Sequence, residues 1–135
     1  MSLHWYSVVV DAHDVHTLAR WWAETLDFQV IYEADDEVVI VPSWASDTAG
    51  IETDEQWRRQ PHGLVFVPVP EGKTVKNRLH IDLAPHLSQD RDAEIAALVA
   101  RGATRIDVGQ SADVSWTVLA DPEGNEFCVL SSRNR

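Results

Sequence analysis

Apolar positions along this chain recur with the spacing of a strand in some segments and with the spacing of a helix in others. The same order of strand-like and helix-like segments occurs twice. In the first half, LHWYSVVVD (3–11) is rich in β-branched and aromatic residues, which predicts a strand. DVHTLARWWAETL then predicts a helix with Asp14 as its N-cap and an apolar face of Leu18, Trp21, Trp22 and Leu26. Three more strands are predicted from FQVIYEA, EVVIVPS and GLVFVPV, and a polar segment without a clear period, 44–62, precedes the last of them.

The second half repeats this order of elements. NRLHIDLA predicts a strand, and DRDAEIAALVARGA predicts a helix with Gly102 at its end and an apolar face of Ile95, Leu98 and Val99. Three strands follow, TRIDVG, VSWTVLA and EFCVLS, and the residues DPEGN predict a tight turn between the last two. The order β-α-β-β-β therefore occurs twice, about 75 residues apart.

This repeat predicts an α+β fold in which two βαβββ modules pair their curved sheets around a central cleft. We expect a single domain, 1–135, with module one at about 1–70, a linker at 70–77 and module two at about 77–135. The alternative is a generic α+β domain whose pseudo-symmetry is accidental.

Composition narrows the classes of partner. The chain has 135 residues, of which 44% are hydrophobic, and its net charge of −11 repels phosphate backbones and anionic lipid. We therefore expect no nucleic acid or membrane partner. A single cysteine, Cys128, excludes an intramolecular disulfide and fits a cytoplasmic location. Six tryptophans are many for this length, and we expect some of them to line a cavity for a small-molecule ligand.

Three stretches resemble a known superfamily. They are VVVDAHDVHTLARWWAETLDF, VPEGKTVKNRLHIDL, and GATRIDVG followed by WTVLADPEGNEFCVL. Together they resemble the glyoxalase/bleomycin-resistance/dihydroxybiphenyl-dioxygenase (vicinal oxygen chelate) superfamily, and in particular its bacterial glyoxalase-like subgroup. The resemblance implies two paired modules around a cavity, which in many relatives holds a divalent metal, and it implies a homodimer.

The metal-ligand positions implied by this resemblance are mostly not filled by metal-binding residues. His80 matches the ligand position of the second module. Cys128 stands four residues after Gly124, where relatives carry a ligand carboxylate, and Glu126 comes two residues too early. Glu126 shares strand parity with Cys128 but is displaced along the strand by about 6–7 Å. In the first module the corresponding positions are Ser7 or Val8 and Phe66 or Val67. We therefore expect no resident metal and no other cofactor.

We predict one pocket in the cleft, with His80 as its polar centre and as the candidate catalytic residue. Its predicted lining is Ser7, Trp44, His80, Asp82, Trp116, Glu126 and Cys128. His80 is either a hydrogen-bonded core-edge histidine or a pocket donor or general base, which Asp82 could orient. Cys128 is either a small buried hydrophobe or a nucleophile activated by His80.

Two further features have open interpretations. The basic cluster Lys73, Lys76 and Arg78 is either a solvated linker or an anchor, for an anionic ligand or for the other module. Trp44 and Trp57 are either parts of a lid over the cleft or the apolar side of a packed loop.

Two functions remain in consideration at this point. The first is a binding protein that sequesters a metabolite or drug without metal chemistry. The second is a lyase, isomerase or dioxygenase for a small oxygenated substrate, working with a metal or through metal-free acid–base chemistry. The resemblance favours the enzyme, whereas the loss of ligand residues favours the binding protein.

Overall fold

The computed structural model describes residues 2–45, 50–106 and 115–135. The chain forms two compact units, Met1–Gly72 and Lys73–Arg135. Each unit has one four-stranded mixed sheet and the predicted order β-α-β-β-β, so the α+β class and the two βαβββ modules are confirmed. The pairing of the two sheets around a cleft stays a prediction.

The first unit contains four strands, a long helix, a short helix and a 3-10 turn at Ser43–Ala45. These elements are β1 (Ser7–Ala12), α1 (Val15–Leu26), β2 (Phe28–Ala34), β3 (Glu37–Pro42), α2 (Asp54–Arg58) and β4 (Gly63–Pro68). The strand order is β1-β4-β3-β2, with β1 parallel to β4 and the other pairs antiparallel. Residues 46–49 of the predicted polar segment lie outside the described part of the chain.

Helix α1 covers one face of this sheet. The carboxylate of Asp14 accepts a hydrogen bond from the Thr17 backbone N–H, which confirms the predicted N-cap. The apolar face of α1 packs on every second residue of the central strands, and the core includes Leu18, Trp22, Val38, Ile40 and Phe66. The opposite face of the sheet is partly open, and its Val9 is 57% exposed.

Strand β1 starts four residues later than LHWYSVVVD predicted. Its first residue, Ser7, pairs with Gly63, which is where β4 begins, and Pro61 precedes that point without a backbone N–H to offer. Instead of pairing, Trp5 stacks on His62 with ring centroids 4.2 Å apart.

In its described residues, 73–106 and 115–135, the second unit contains four short strands and one helix. They are β5 (Ile81–Leu83), α3 (Arg91–Ala100), β6 (Thr104–Arg105), β7 (Thr117–Ala120) and β8 (Glu126–Val129). The order is β5-β8-β7-β6, again with the first pair parallel. Ile95 and Leu98 of α3 are buried, whereas Val99 is 40% exposed, so the apolar face of α3 is narrower than predicted. Positions 107–109 and Val114 of the predicted strands lie outside the described residues.

The DPEGN turn sets the register of the hairpin that carries the site residues. Asp121 is only 3% exposed, and its carboxylate accepts hydrogen bonds from the backbone N–H groups of Glu123 and Asn125 at 2.9 and 3.0 Å. Gly124 supplies a φ of 89° at little steric cost. This network pairs Val118 with Cys128 across β7 and β8.

Among the described residues, no helix is long and apolar enough to cross a membrane.

Candidate functional site

The second unit contains a cavity of about 250 Å³ on the face of its sheet. Asp82 of β5, Cys128 of β8 and Val118 of β7 are paired in register, so their side chains lie side by side on three neighbouring strands. Among the described residues, the lining consists of Lys76, His80, Asp82, Trp116, Val118, Glu126, Cys128 and Leu130. Five of the seven predicted pocket residues are therefore brought together in one unit.

His80 lies immediately before β5, at the mouth of this cavity. The predicted strand NRLHIDLA is shorter in the structure, and His80 is outside the sheet with 44% of its side chain exposed. Its Nε2 is 3.1 Å from an Oδ1 of Asp82, a contact that the spacing along an ideal strand did not guarantee. Because His80 has left the strand, its ring can turn back along the sheet to meet this carboxylate.

Cys128 faces the same carboxylate from the neighbouring strand but is not activated. It is 6% exposed. Burial, and then the Asp82 carboxylate, raise the pKa of the Cys128 thiol, and only Lys76 acts in the opposite direction. A thiol with a raised pKa is a poor nucleophile at neutral pH. The buried-hydrophobe interpretation of Cys128 is therefore the one that its surroundings favour.

Glu126 lines the cavity, but its carboxylate is already engaged. It accepts a hydrogen bond from the backbone N–H of Asn77 at 3.1 Å and forms an ion pair with Lys73 at 2.7 Å. Burial would raise the pKa of Glu126, but the hydrogen bonds from Lys73 and Asn77 outweigh it and hold that pKa below its ordinary value. Lys73 is thus an internal anchor of the second unit, and Glu126 stays ionised and paired.

Apolar side chains form the wall opposite these polar groups. Trp116 lies just before β7 and is 40% exposed, with Val118 and Leu130 beside it. Sequence reasoning had not singled out Val118 or Leu130. The DPEGN turn would have identified Val118 as a neighbour of the site, because counting residues on both sides of the turn pairs Val118 with Cys128. Lys76 was part of the basic cluster, but nothing in a loop sequence indicates which lysine faces a cavity.

The two remaining predicted pocket residues belong to the first unit. Ser7 lines a separate cavity of about 320 Å³ within that unit. Trp44 lies in the turn after β3 and is 75% exposed. Whether either residue contributes to the site of the second unit stays a prediction.

The side chains of His80, Asp82 and Cys128 form a group that could hold a metal ion. Their donor atoms lie within 4.8 Å of one another, and no other such group occurs among the described residues. Imidazole nitrogen, carboxylate oxygen and thiolate sulfur are all ligands of zinc, and three protein ligands with one open position are typical of its catalytic sites. Ligand atoms around zinc lie roughly 3–4 Å apart, so this group would need a small inward movement. The donor set therefore fits a borderline-soft divalent ion.

Comparisons with solved structures agree on the fold. A glyoxalase/bleomycin resistance protein/dioxygenase family enzyme from Burkholderia phytofirmans PsJN is 14% identical over 97% of this chain and 100% of that chain, with a TM-score of 0.68. The fosfomycin resistance protein FosX from Mesorhizobium loti is 12% identical over 92% of this chain and 87% of that chain, with a TM-score of 0.62. At these identities the likeness shows the fold alone.

A third neighbour was solved with a metal. This FosX variant from Listeria monocytogenes is in complex with Mn(II) and 1S,2S-dihydroxypropylphosphonic acid. It is 8% identical over 94% of this chain and 88% of that chain, with a TM-score of 0.64.

A search of curated protein sequences found no match. The profile of the glyoxalase-like domain matches residues 7–130, which include both βαβββ modules and every residue of the cavity in the second unit. The chain therefore belongs to the glyoxalase-like domain family.

Proposed function

We propose that this protein binds a small, mostly apolar or planar molecule in the cavity of the second unit, without metal chemistry, and sequesters it. One observation carries the proposal: a single imidazole, held by Asp82 at 3.1 Å, stands at the mouth of a cavity walled by Trp116, Val118 and Leu130. Few polar groups among apolar walls are typical of small-molecule sites.

The contact between His80 and Asp82 defines what the ligand should offer. In the neutral imidazole, Nε2 carries the proton donated to Asp82, which leaves Nδ1 as an acceptor. Lys76 contributes an ammonium group to the same lining, while the charge of Glu126 is paired with Lys73. We therefore expect a ligand with a hydroxyl or N–H group for His80 and a carbonyl or anionic oxygen for Lys76.

Fluorescence titration tests this function directly. Planar phenols that carry a carboxylate or carbonyl group, such as salicylate and flavonoids, should quench tryptophan fluorescence without being turned over. His80→Ala should weaken binding by about 1–3 kcal/mol, because it leaves a polar group of the ligand unpaired. Trp116→Ala should weaken it too and should reduce the quenching. His86→Ala is the matched control, since His86 bonds to Ser88 away from the cavity. Unchanged binding in both cavity variants would disprove the assignment.

A metal-dependent lyase, isomerase or dioxygenase is the second candidate, and the His80, Asp82 and Cys128 group is the observation that favours it. A bound divalent ion would supply a Lewis acid for a substrate oxygen. Elemental analysis after gentle purification separates the two functions. The binding proposal expects well under one equivalent of zinc, nickel, iron or manganese. A near-stoichiometric ion that is lost in His80→Ala would establish the metal site instead.

The proposal also includes a cellular location and binding partners. We place it in the cytoplasm, where a single unpaired thiol stays reduced, with a small molecule and a second copy of the chain as its partners.

A further inference from the structure

Two carboxylates and one ammonium group line the cavity of the second unit among the described residues. They belong to Asp82, Glu126 and Lys76, and His80 lies beside them in contact with Asp82. By themselves these groups would give the lining a net negative charge, which repels the anionic oxygen of a ligand. The kind of ligand that the cavity accepts therefore depends on whether a further cation lies close to it.

Lys73 supplies that cation from outside the lining. The part of the cavity wall that the structure describes does not include Lys73. Its Nζ lies 2.7 Å from Oε2 of Glu126, and both side chains are mostly buried. Because little water surrounds this pair, its two charges act more strongly than they would at the surface. With Lys73 counted, the two carboxylates of the described lining are balanced by two ammonium groups.

The segment 73–80 does not depend on Lys73 alone for its position. The backbone N–H of Asn77 donates a hydrogen bond to Oε2 of Glu126 at 3.1 Å, and the Asn77 side-chain amide donates one to the backbone oxygen of Glu126 at 3.2 Å. These two bonds should keep the segment on β8 when the charge of Lys73 is removed. A neutral substitution of Lys73 therefore tests the charge of the cavity more than its shape.

We propose that Lys73 determines the charge specificity of this cavity: by offsetting the charge of Glu126, it lets the cavity prefer an anionic ligand to a neutral one of the same shape. Lys73 acts through Glu126 and does not contact the ligand. This role rests on the proposed binding function, because the ligand is taken to lie in the same cavity, beside Lys76 and His80. It narrows the ligand class to planar hydroxyl-bearing molecules that carry a carboxylate or a similar anionic group.

Two phenols of nearly equal shape measure this preference in the full chain. At neutral pH 3-hydroxybenzoate is an anion and 3-hydroxybenzamide is neutral, and tryptophan quenching gives the affinity of each. The wild type should bind the benzoate more tightly. Lys73→Gln should lower the ratio of benzoate to benzamide affinity about tenfold, because Glu126 is then an uncompensated anion. Glu126→Gln should raise this ratio, because it leaves the charge of Lys73 unpaired, and the double variant should restore the wild-type ratio.

The opposite signs of the two single variants separate an effect of charge from a loss of structure. Lys73→Arg keeps the charge and should keep the wild-type ratio. Arg78→Gln is the matched control, since it removes an exposed cation from the same segment and should change the ratio much less. If Lys73→Gln does not fold, the rise in Glu126→Gln decides the matter. A ratio that falls in both single variants, or that falls equally in Lys73→Gln and Arg78→Gln, would overturn the role of Lys73.

Alkylation of Cys128 tests the same role without a bound ligand. Cys128 is the single cysteine of the chain, and it lines the cavity. The ratio of its reaction rates with the anion iodoacetate and with neutral iodoacetamide should fall in Lys73→Gln and rise in Glu126→Gln. If neither phenol binds the wild type but these rate ratios shift as expected, the proposed ligand is wrong and the effect of Lys73 on the charge of the cavity stands. Rate ratios that stay at the wild-type value in both variants would overturn that effect.

Discussion

A single carboxylate, Asp82, organises the candidate site at the scale of residues. It holds the His80 ring at 3.1 Å, and it adds to burial, the larger cause, in raising the pKa of the Cys128 thiol. The same group therefore orients the imidazole for hydrogen bonding and keeps the thiol protonated. This combination suits recognition of a ligand better than nucleophilic attack, which needs a lowered thiol pKa.

His16 provides a pH-dependent contact in the first unit. A hydrogen bond from its Nδ1 to Glu33, 2.8 Å long, raises the pKa of His16, and the same contact, with Arg20, lowers the pKa of Glu33. Because the His16 pKa is higher in the folded protein than in the unfolded chain, this contact stabilises the fold fully at pH values below the unfolded-state pKa of His16. The stabilisation is lost as pH rises through the folded-state pKa of His16. Because the Glu33 pKa is lower in the folded protein, the same contact stabilises the fold at pH values above the unfolded-state pKa of Glu33. This stabilisation is lost as pH falls through the folded-state pKa of Glu33. The pair thus contributes most at mildly acidic pH.

An NMR titration of the His16 ring checks this contact. In Glu33→Gln the pKa of His16 should fall towards its ordinary value. Glu37→Gln removes the same charge from the neighbouring strand without touching His16, so it should change that pKa less. If the His16 pKa falls equally in both variants, the general electrostatic effect of nearby carboxylates raises it, and not the hydrogen bond to Glu33.

The pair of Glu126 and Lys73 should matter for stability. The Glu126 side chain is only 11% exposed, and it holds both Lys73 and the Asn77 backbone against β8. Glu126→Gln should lower the free energy of unfolding by about 1–2 kcal/mol, because charged hydrogen bonds become neutral ones in a largely buried place. Urea unfolding measures the change. Glu71→Gln removes an exposed charge of the same kind and should cost little; an equal loss in both variants would contradict the role of the pair.

At the scale of elements, both long helices in the described part of the chain start at an aspartate, and the sequence predicted the first of these caps. Asp14 caps α1, and Asp90 caps α3 by accepting hydrogen bonds from Asp92 and Ala93. Capping needs only a side chain and the first turn of the same helix, so it is encoded locally. The ends of the strands are different: β1 begins opposite the first residue of β4, and β5 begins opposite Phe127 of β8. No local pattern specifies these starting points.

Gly102 allows α3 to turn into β6, and its substitution should show this. Its φ is 112°, which an L side chain adopts only with strain, although a Cβ there would meet nothing closer than the Pro122 ring at 3.6 Å. Gly102→Ala should therefore destabilise the protein by about 1–3 kcal/mol through backbone strain rather than collision. Gly72→Ala is the control, since Gly72 has open space and no positive φ. Equal thermal midpoints for the two variants would refute the strain argument.

At the scale of the whole molecule, we expect a homodimer, and the adjacent tryptophans of α1 are too buried to form its interface. Trp21 and Trp22 are 7% and 3% exposed and pack edge to face within the first unit. Strand β2, at the end of its sheet, does expose apolar side chains: Ile31 and Tyr32 are 54% and 53% exposed. An exposed edge strand with apolar side chains favours pairing with another chain.

Light scattering at micromolar concentration tests the assembly. The dimer should give twice the monomer mass of 15.2 kDa, and Ile31→Lys should shift the mass towards the monomer by placing charge on this edge. Leu87→Lys is the matched control, because Leu87 is similarly exposed, at 59%, but lies in the second unit outside its sheet. A wild-type mass near that of the monomer would contradict the expectation.

The sequence by itself determined the class of fold and the family. Helical spacing, the N-cap aspartate of α1, the DPEGN turn and a repeated order of elements are local signals, and each reports on a few neighbouring residues. The same signals placed His80 and Cys128 on the first and last strands of one module. They could not show whether His80 touches Asp82, because that distance depends on where β5 begins.

Only the tertiary structure decided which of the candidate side chains share one cavity, and which of them are charged or paired there. Asp82 lies beside Cys128 through a strand pairing between residues 46 positions apart, and the ionised Glu126 is paired with Lys73, 53 positions away. Hydrogen bonds, burial and the pKa shifts that follow from them depend on distance in space. A sequence constrains such distances only through the packing of the whole sheet, so the chemistry of this site is a property of the fold.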